Sequence, residues 1–283
     1  MSRTTFRPQV SIVTGGASGI GLAIARRLVD RGSRVIVADV DADKAQRAAA
    51  DLGTLATAAT VDVGDAAAVR DLVEEAVARH GRLDLMVNNA GVAVGGLHEQ
   101  LDQAQWDLAL RVNLGGVING INAAYPVMRA QRAGHLLNTA SLAGLVPAPA
   151  MLPYTTTKHA VVGLSTALRA EAAAVGVHVS VLCPGFVDTP LLDNIHTGGP
   201  DGDLVFSMRR QIRRVQPRLM SADLVAERAI RGLERDTAII AVGSTAQVLW
   251  RLNRYAPPVA RGLVRMQASG VRRMLPKAAR LLR

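Results

Sequence analysis

Short runs of β-branched and aliphatic residues alternate with longer alanine- and leucine-rich stretches along most of this chain. The runs are "QVSIVTG" (9–15), "RVIVADV" (34–40), "LATAATVDV" (55–63), "LDLMVNNAG" (83–91), "GHLLNTAS" (134–141), "VHVSVLCPG" (177–185) and "TAIIAVG" (237–243). Helical periodicity predicts helices near 19–31, 42–52, 65–80, 102–131, 153–175 and 221–235. Apolar runs that lack polar alternation and are separated by helices are parallel strands covered on both faces. The repeated order therefore predicts an α/β fold: a doubly wound parallel sheet of about seven strands, with helices on both faces and right-handed crossovers. No linker-like stretch occurs before residue 190, so residues 1–243 are expected to form one domain.

Composition narrows the chemistry. The chain has 283 residues, 49% hydrophobic and 20% charged, as in an ordinary globular protein. Aromatics make up only 3%, which argues against a base-stacking platform for nucleic acid. A single cysteine, Cys183, rules out a disulfide framework and a thiolate zinc site, and the six histidines show no metal-binding spacing. No metal is expected. The opening "MSRTTFRPQV" lacks the apolar core of a signal peptide, and no apolar run approaches the ~20 residues of a spanning helix. A cytosolic setting is the expectation.

After the first run comes "TGGASGIG" (14–21), with Gly15, Gly19 and Gly21 at the junction of a strand and a helix. Such glycines permit a tight turn, close backbone approach to a pyrophosphate and helix packing on the strand. The phosphates would then meet free N–H groups at a helix N-terminus. Asp39 ends the second strand, 18 residues after Gly21. A carboxylate there accepts hydrogen bonds from both adenosine ribose hydroxyls and repels a 2′-phosphate. No Lys or Arg stands in the glycine loop, so NAD is expected over NADP. Farther along, Tyr154 and Lys158 are four positions apart in "PYTTTKHAVVGL" and share one helix face.

These features fall in one register. "TGGASGIG", "VDV" (61–63), "NNAG" (88–91), Asn113, Ser141, "YTTTK" (154–158) and "PGFVDT" (184–189) resemble the short-chain dehydrogenase/reductase family in order and spacing, over residues 8 to about 243. The resemblance implies a Rossmann fold and hydride transfer between NAD(H) and a secondary alcohol or ketone. It makes Tyr154 the general acid–base. A free phenol, with a pKa near ~10, is a poor base at neutral pH, and the Lys158 cation is expected to lower it. Ser141, thirteen residues earlier, resembles the serine that holds the substrate oxygen, and Asn113 the asparagine that organises a water chain to Lys158.

The same resemblance assigns cofactor contacts to Gly15, Ser18, Gly19, Ile20 and Gly21, and to Asp39. It assigns adenine contacts to Asp62 and Val63, and ribose contacts to Asn89, Ala90 and Gly91. Tyr154 and Lys158 also face the cofactor, and Pro184, Gly185, Val187 and Thr189 match the turn around the nicotinamide amide and pyrophosphate. Cys183 is expected to be a small buried hydrophobe. "LAGLVPAPAML" (142–152), between Ser141 and Tyr154, holds no charge and no hydroxyl, which favours an apolar, lipid-like substrate. Two other classes share these motifs: a non-catalytic nucleotide-binding scaffold, and a sugar-nucleotide epimerase with a larger C-terminal domain.

Two segments depart from the rhythm. Residues 186–220 carry a Gly-Gly-Pro-Asp-Gly cluster after a strand end, and read as either a cover for the site or a plain surface loop. The formal charge of +10 is concentrated at the end: residues 237–283 hold nine basic side chains and no acidic one. Residues 244–283 read as a basic amphipathic extension. Two readings stand side by side: a membrane-surface element, or helices packed on the protein itself or on a neighbouring subunit of a homo-oligomer (dimer or tetramer). Nucleic-acid binding is not expected.

Overall fold

The computed structural model describes residues 6–199, 202–207, 209, 212 and 218–279. Among the described residues ten strands are formed: β1 Val10–Thr14, β2 Arg34–Asp39, β3 Ala56–Thr60, β4 Leu85–Asn88, β5 Ala93–Val94, β6 Gly134–Thr139, β7 Val177–Pro184, β8 Ile195–Gly199, β9 Gly202–Phe206 and β10 Ile239–Val242. Seven of them make one sheet in the order β10-β7-β6-β4-β1-β2-β3, with every pair parallel. The doubly wound sheet expected from the βα alternation is present, with all seven predicted strands in it.

The helices are α1 Gly19–Val29, α2 Ala42–Leu52, α3 Ala66–His80, α4 Gln103–Ala109, α5 Gly116–Gln131, α6 Leu152–Ala172, α7 Ala222–Glu234, α8 Ser244–Tyr255 and α9 Pro257–Ala279. Period-2 alternation within the strands divides the core in two. Val10 and Ile12 of β1 join Val69, Leu72, Val117, Ile121 and Val161 from α3, α5 and α6 on one face. Val13 joins Ile24, Leu28, Ala48, Val225 and Ile230 from α1, α2 and α7 on the other. Several helix starts are fixed by side chains: Asp41 accepts from the Lys44 amide, Asp65 from those of Ala67 and Ala68, and Ser221 from that of Leu224.

The structure departs from the predicted elements in two places. The single helix expected over 102–131 is interrupted by a π-turn at Leu110–Gly115. Periodicity alone does not register one extra residue in a turn. In 186–220, the chain forms the hairpin β8–β9, antiparallel from Ile195↔Phe206 to Gly199↔Gly202, and β8 pairs parallel with β5. Polar and glycine-rich sequence had concealed this three-stranded sheet. Residues 200–201, 208, 210–211 and 213–217 of that segment, and 280–283 of the tail, lie outside the described residues.

Away from the carboxyl ends of the strands, His135 is buried at the start of β6. The Ser180 hydroxyl donates to the Thr237 carbonyl at 2.8 Å, so its contact with His135 Nε2 at 3.0 Å is made by the ring N–H donating. Burial, with His178 nearby, pushes the His135 pKa down to about 3. The unfolded chain therefore binds this proton near pH 6.5 and the folded chain only near pH 3, so folding stability falls as pH drops through that window. Denaturant unfolding at stepwise lower pH should show the loss, up to about 1.4 kcal/mol per pH unit from this group. In His135→Asn the acid slope should be shallower. A second outcome concerns Gly163 in α6, where an added Cβ would meet nothing within 4 Å. Gly163→Ala should raise stability by about 0.5–1 kcal/mol, read from the same unfolding curves.

Candidate active site

In the sheet order, β1 lies between β2 and β4, so the chain winds outward in opposite directions on either side of it. The crevice at such a reversal, beyond the carboxyl ends of the strands, is where open α/β sheets bind ligands. Both loops that border it are built from small residues. Gly15 has φ +59°, and a Cβ there would lie 2.9 Å from the Ala90 Cα. A Cβ on Gly21 would lie 2.1 Å from the Gly15 carbonyl oxygen, so α1 packs directly on the turn. Gly19, at φ +53°, has the Thr189 side chain 3.1 Å from where its Cβ would be, which brings the "PGFVDT" turn against the glycine loop.

Helix α1 differs from α2, α3 and α7 at its start. Its N-cap, Ser18, makes no side-chain capping bond. First-turn N–H groups without such a cap sit at the positive end of the helix dipole, inside the cradle of glycines. At the end of β2, Asp39 accepts from the Ala17 amide and the Asp41 amide, each at 3.2 Å, which aims its carboxylate at the same crevice. These residues fit a dinucleotide: the cradle is bare backbone where phosphates would lie, and a carboxylate stands where a ribose would lie.

Asp62 accepts from the Gly64 amide at 2.8 Å and from Arg111 at 2.6 Å, and these bonds hold its carboxyl below the usual range. Val63 is buried with its side chain against Gly116, so its backbone is what it can offer a ligand. Asn89 is fixed through its side-chain amide, which donates to the carbonyls of Thr14 (3.1 Å) and Gly15 (3.3 Å). Val187 is bridged to Met220 beside the turn, and Gly185 lies under the Met220 side chain.

The four residues expected to carry chemistry converge next to this cradle. Ser141, Tyr154 and Lys158 stand where β6 ends and α6 begins, and the π-turn brings in Asn113. Lys158 is 3% exposed, and its Nζ donates to the Thr139 carbonyl at 2.9 Å. That Nζ lies 5.6 Å from the centre of the Tyr154 ring. Ser141 caps the short turn Leu142–Gly144, accepting from the Ala143 amide at 3.2 Å, and also hydrogen-bonds the Tyr154 phenol. Asn113 is fully buried: its Oδ1 accepts from the Val92 amide at 2.8 Å and its Nδ2 donates to the Val92 carbonyl at 2.9 Å. A Cβ on Gly91 would meet Asn113 Oδ1 at 3.0 Å and Lys158 Nζ at 3.6 Å, so Gly91 leaves the gap between them open.

The electrostatics differ from the expectation in one respect. Lys158 was expected to lower the Tyr154 pKa, but burial raises it, and the Ser141 hydrogen bond only partly offsets this. Burial of the phenol outweighs the neighbouring ammonium, which is itself desolvated, its pKa pushed down to about 8, while it donates to Thr139. Cys183, beneath the site, is fully buried, and burial pushes its thiol up to about 12, as suits a packing residue.

Four contributors were not anticipated. Thr14 Oγ1 accepts from the amides of Asn89 (2.9 Å) and Ala90 (3.1 Å), while Thr139 supplies the carbonyl that anchors Lys158. Arg111 clamps Asp62. Arg209 ties the turn after Thr189 by bonding Asp188, Asp193 (2.7 Å) and the Thr189 carbonyl (3.0 Å). Thr14 opens the quoted glycine motif and was legible as part of it. The other three act through contacts remote in sequence.

Comparison with known proteins agrees with this geometry. The family model described as short chain dehydrogenase matches residues 9–198. The protein named probable oxidoreductase EphD, from Mycobacterium tuberculosis, is 32% identical over 272 residues, covering 94% of this chain. The chain spans only 46% of that relative's length, so it corresponds to about half of it. Among solved structures, a short chain dehydrogenase/reductase from Burkholderia phymatum in complex with NAD superposes with TM-score 0.80 at 29% identity, over 90% of this chain and 96% of its own. A 3-ketoacyl-(acyl-carrier-protein) reductase from Brucella melitensis complexed with NADH gives TM-score 0.73 at 30% identity, over 83% and 96%. Sequence, sheet order and the convergence of Ser141, Tyr154 and Lys158 lead to one conclusion: the chain belongs to the short-chain dehydrogenase family of oxidoreductases.

Proposed function

We propose that the protein interconverts a secondary alcohol and a ketone on an apolar substrate, using NAD(H) in preference to NADP(H). The observation that carries this reading is the Ser141–Tyr154–Lys158 cluster at the mouth of a glycine cradle that has a carboxylate, Asp39, at its ribose end. A bound nicotinamide would supply or accept the hydride. The protein's part is to hold the substrate oxygen and move one proton. Ser141 donates a hydrogen bond to that oxygen, and the Tyr154 phenol delivers a proton to it in reduction or removes one in oxidation. Lys158, buried beside the ring, stabilises the phenolate through its charge. Asn113, 44 residues before Thr157, donates to its hydroxyl at 3.5 Å, one residue before Lys158.

Substrate character is supported by the wall. Residues 142–152 carry no charge and no hydroxyl, and Leu152, two residues before Tyr154, and Phe186, in the turn after β7, are exposed. The reductase from Brucella named for 3-ketoacyl groups on a carrier protein is consistent with an acyl-like ketone. The presence of both Tyr154 and Lys158, in geometry suited to proton transfer, favours an enzyme over a nucleotide-binding scaffold.

Tyr154→Phe keeps the ring and loses the titrating proton. Turnover of a secondary alcohol or ketone should fall about 10²–10⁴-fold, while NADH binding followed by fluorescence stays near the original affinity. Because burial raises the phenol pKa, alcohol oxidation should increase with pH on the alkaline side, and Lys158→Met should move that limb to higher pH. Full turnover by the phenylalanine variant would point to the scaffold reading. For the cofactor, direct titration should give tighter NADH than NADPH binding, and Asp39→Ala should narrow the gap by removing the charge that repels a 2′-phosphate.

A further inference from the structure

The basic extension divides into two parts. Helix α8 is seated on the protein's own core: Ala246 is buried, Trp250 packs into the cluster that contains Leu145, and Asn253 Nδ2 donates to the Leu145 carbonyl at 3.1 Å. Leu145 follows the turn capped by Ser141, so α8 backs the uncharged wall of the candidate site. Helix α9 is held differently. Along its described side chains, only the row Ala260, Val264 and Ala268, spaced by four, is turned inward, with Ala260 buried and the others half-buried.

The rest of α9 up to Gly270 is largely exposed, and it is not polar throughout. Val259 (55%), Leu263 (42%) and Met266 (69%) are exposed at positions i, i+4 and i+7, one continuous stripe on the helix. On α8, Val248 and Tyr255, seven residues apart, are exposed as well. Five of the twelve exposed large hydrophobic side chains among the described residues therefore fall within residues 248–266. That concentration in less than a tenth of the chain marks a contact surface. Arg251, Arg254, Arg261 and Arg265 are exposed on the same two helices, Arg261 and Arg265 turned away from the stripe, and none of the four forms an ion pair.

We propose that the exposed side chains of α8 and α9 dock this end of the protein on an anionic lipid bilayer. Charge selects the occupant. With nine basic and no acidic residues over 237–283, a second copy laid on these helices would add like charge to like charge. A nucleic acid would satisfy the arginines but leave the apolar stripe in water. A bilayer carrying anionic headgroups satisfies both, with the arginines at the headgroups and the stripe at the boundary with the acyl chains. Attachment is at the surface: no helix among the described residues is long and apolar enough to cross a membrane. Because α8 backs the wall beside Ser141, docking would hold the candidate site next to the lipid phase. This last consequence rests on the substrate reading above; the docking itself does not.

Co-sedimentation of the full chain with vesicles of phosphatidylcholine, alone or mixed with phosphatidylglycerol, tests the proposal without any measurement of turnover. Binding is expected to the mixed vesicles, roughly tenfold or more above the neutral ones, and to weaken as salt rises toward physiological strength. Arg261→Glu with Arg265→Glu should abolish that preference, and Leu263→Asp with Met266→Asp should reduce binding to both vesicle types. NADH binding and thermal unfolding of each variant should match the parent protein, since all four positions are exposed on the helix surface. Equal partition of the unmodified protein into neutral and anionic vesicles, or none into either, overturns the proposal. So does a fall in oligomer size by light scattering for Leu263→Asp with Met266→Asp, which would assign the stripe to a second copy. Binding to duplex DNA or RNA that survives the loss of the stripe would assign the arginines to nucleic acid and likewise overturn it.

Discussion

A single hydroxyl joins the two loops on which the candidate site is built. Thr14 Oγ1 accepts hydrogen bonds from the amides of Asn89 and Ala90, and donates its own proton to the Val87 carbonyl at 3.2 Å. Those three bonds lock the end of β1 to the end of β4, and β4 in turn pairs with β6, whose last residue anchors Lys158. The glycine cradle and the buried ammonium are thus set relative to one another by a continuous chain of backbone and side-chain bonds. Asn89 adds to it, since its amide donates to Thr14 and Gly15 while its oxygen accepts from the Thr139 hydroxyl at 3.3 Å. A ligand that touches the glycine turn and the tyrosine at once needs that spacing fixed before it arrives.

Burial is the second constraint, and it acts in opposite directions on the two partners of the acid–base pair. Desolvation favours the neutral phenol of Tyr154 and disfavours the charged ammonium of Lys158. At neutral pH the phenol therefore keeps its proton and the ammonium its charge, both poorly solvated. The bonds from Ser141 to the phenol and from Lys158 to Thr139 hold both side chains in place with little freedom. Reactivity is therefore governed by what enters the cleft next to them, because any added charge or polar group there changes a poorly solvated balance.

The sequence was most informative where physics repeats. The seven strands of the main sheet follow from short apolar runs, clearest at β1 and β4, which are buried throughout, whereas β3 at the sheet edge is partly exposed along its length. The glycine cradle, Asp39, Ser141, Tyr154 and Lys158 were legible because each lies at a strand end or in a fixed spacing on one helix. What stayed hidden depends on long-range contacts. The hairpin β8–β9 is held by pairing with β5, about a hundred residues away, and its glycine-rich sequence gives no alternation to read. Arg111, Arg209 and Thr139 matter through partners no local pattern names. The raised phenol pKa reflects the competition between burial and one hydrogen bond, which spacing cannot measure.

The π-turn at Leu110–Gly115 works as a phase adjuster between two rulers. An ordinary α-helix advances about 100° per residue, so one extra residue in a turn rotates everything on one side of it by that amount relative to the other. In this chain the rotation lets Asn113 point at Val92 while, a few residues on, Gly116 and Gly120 lie flat against Val63 and Asn88. A Cβ at Gly120 would fall 1.8 Å from Asn88 Oδ1, so the later half of the helix has no tolerance for a change of angle. Deleting one residue between Leu110 and Gly115 would restore a regular helix and put the two halves out of step. Either the amide of Asn113 or the glycine seam of α5 would then face the wrong way, and the chain could keep its hydrogen-bonded helix only by giving up one of them.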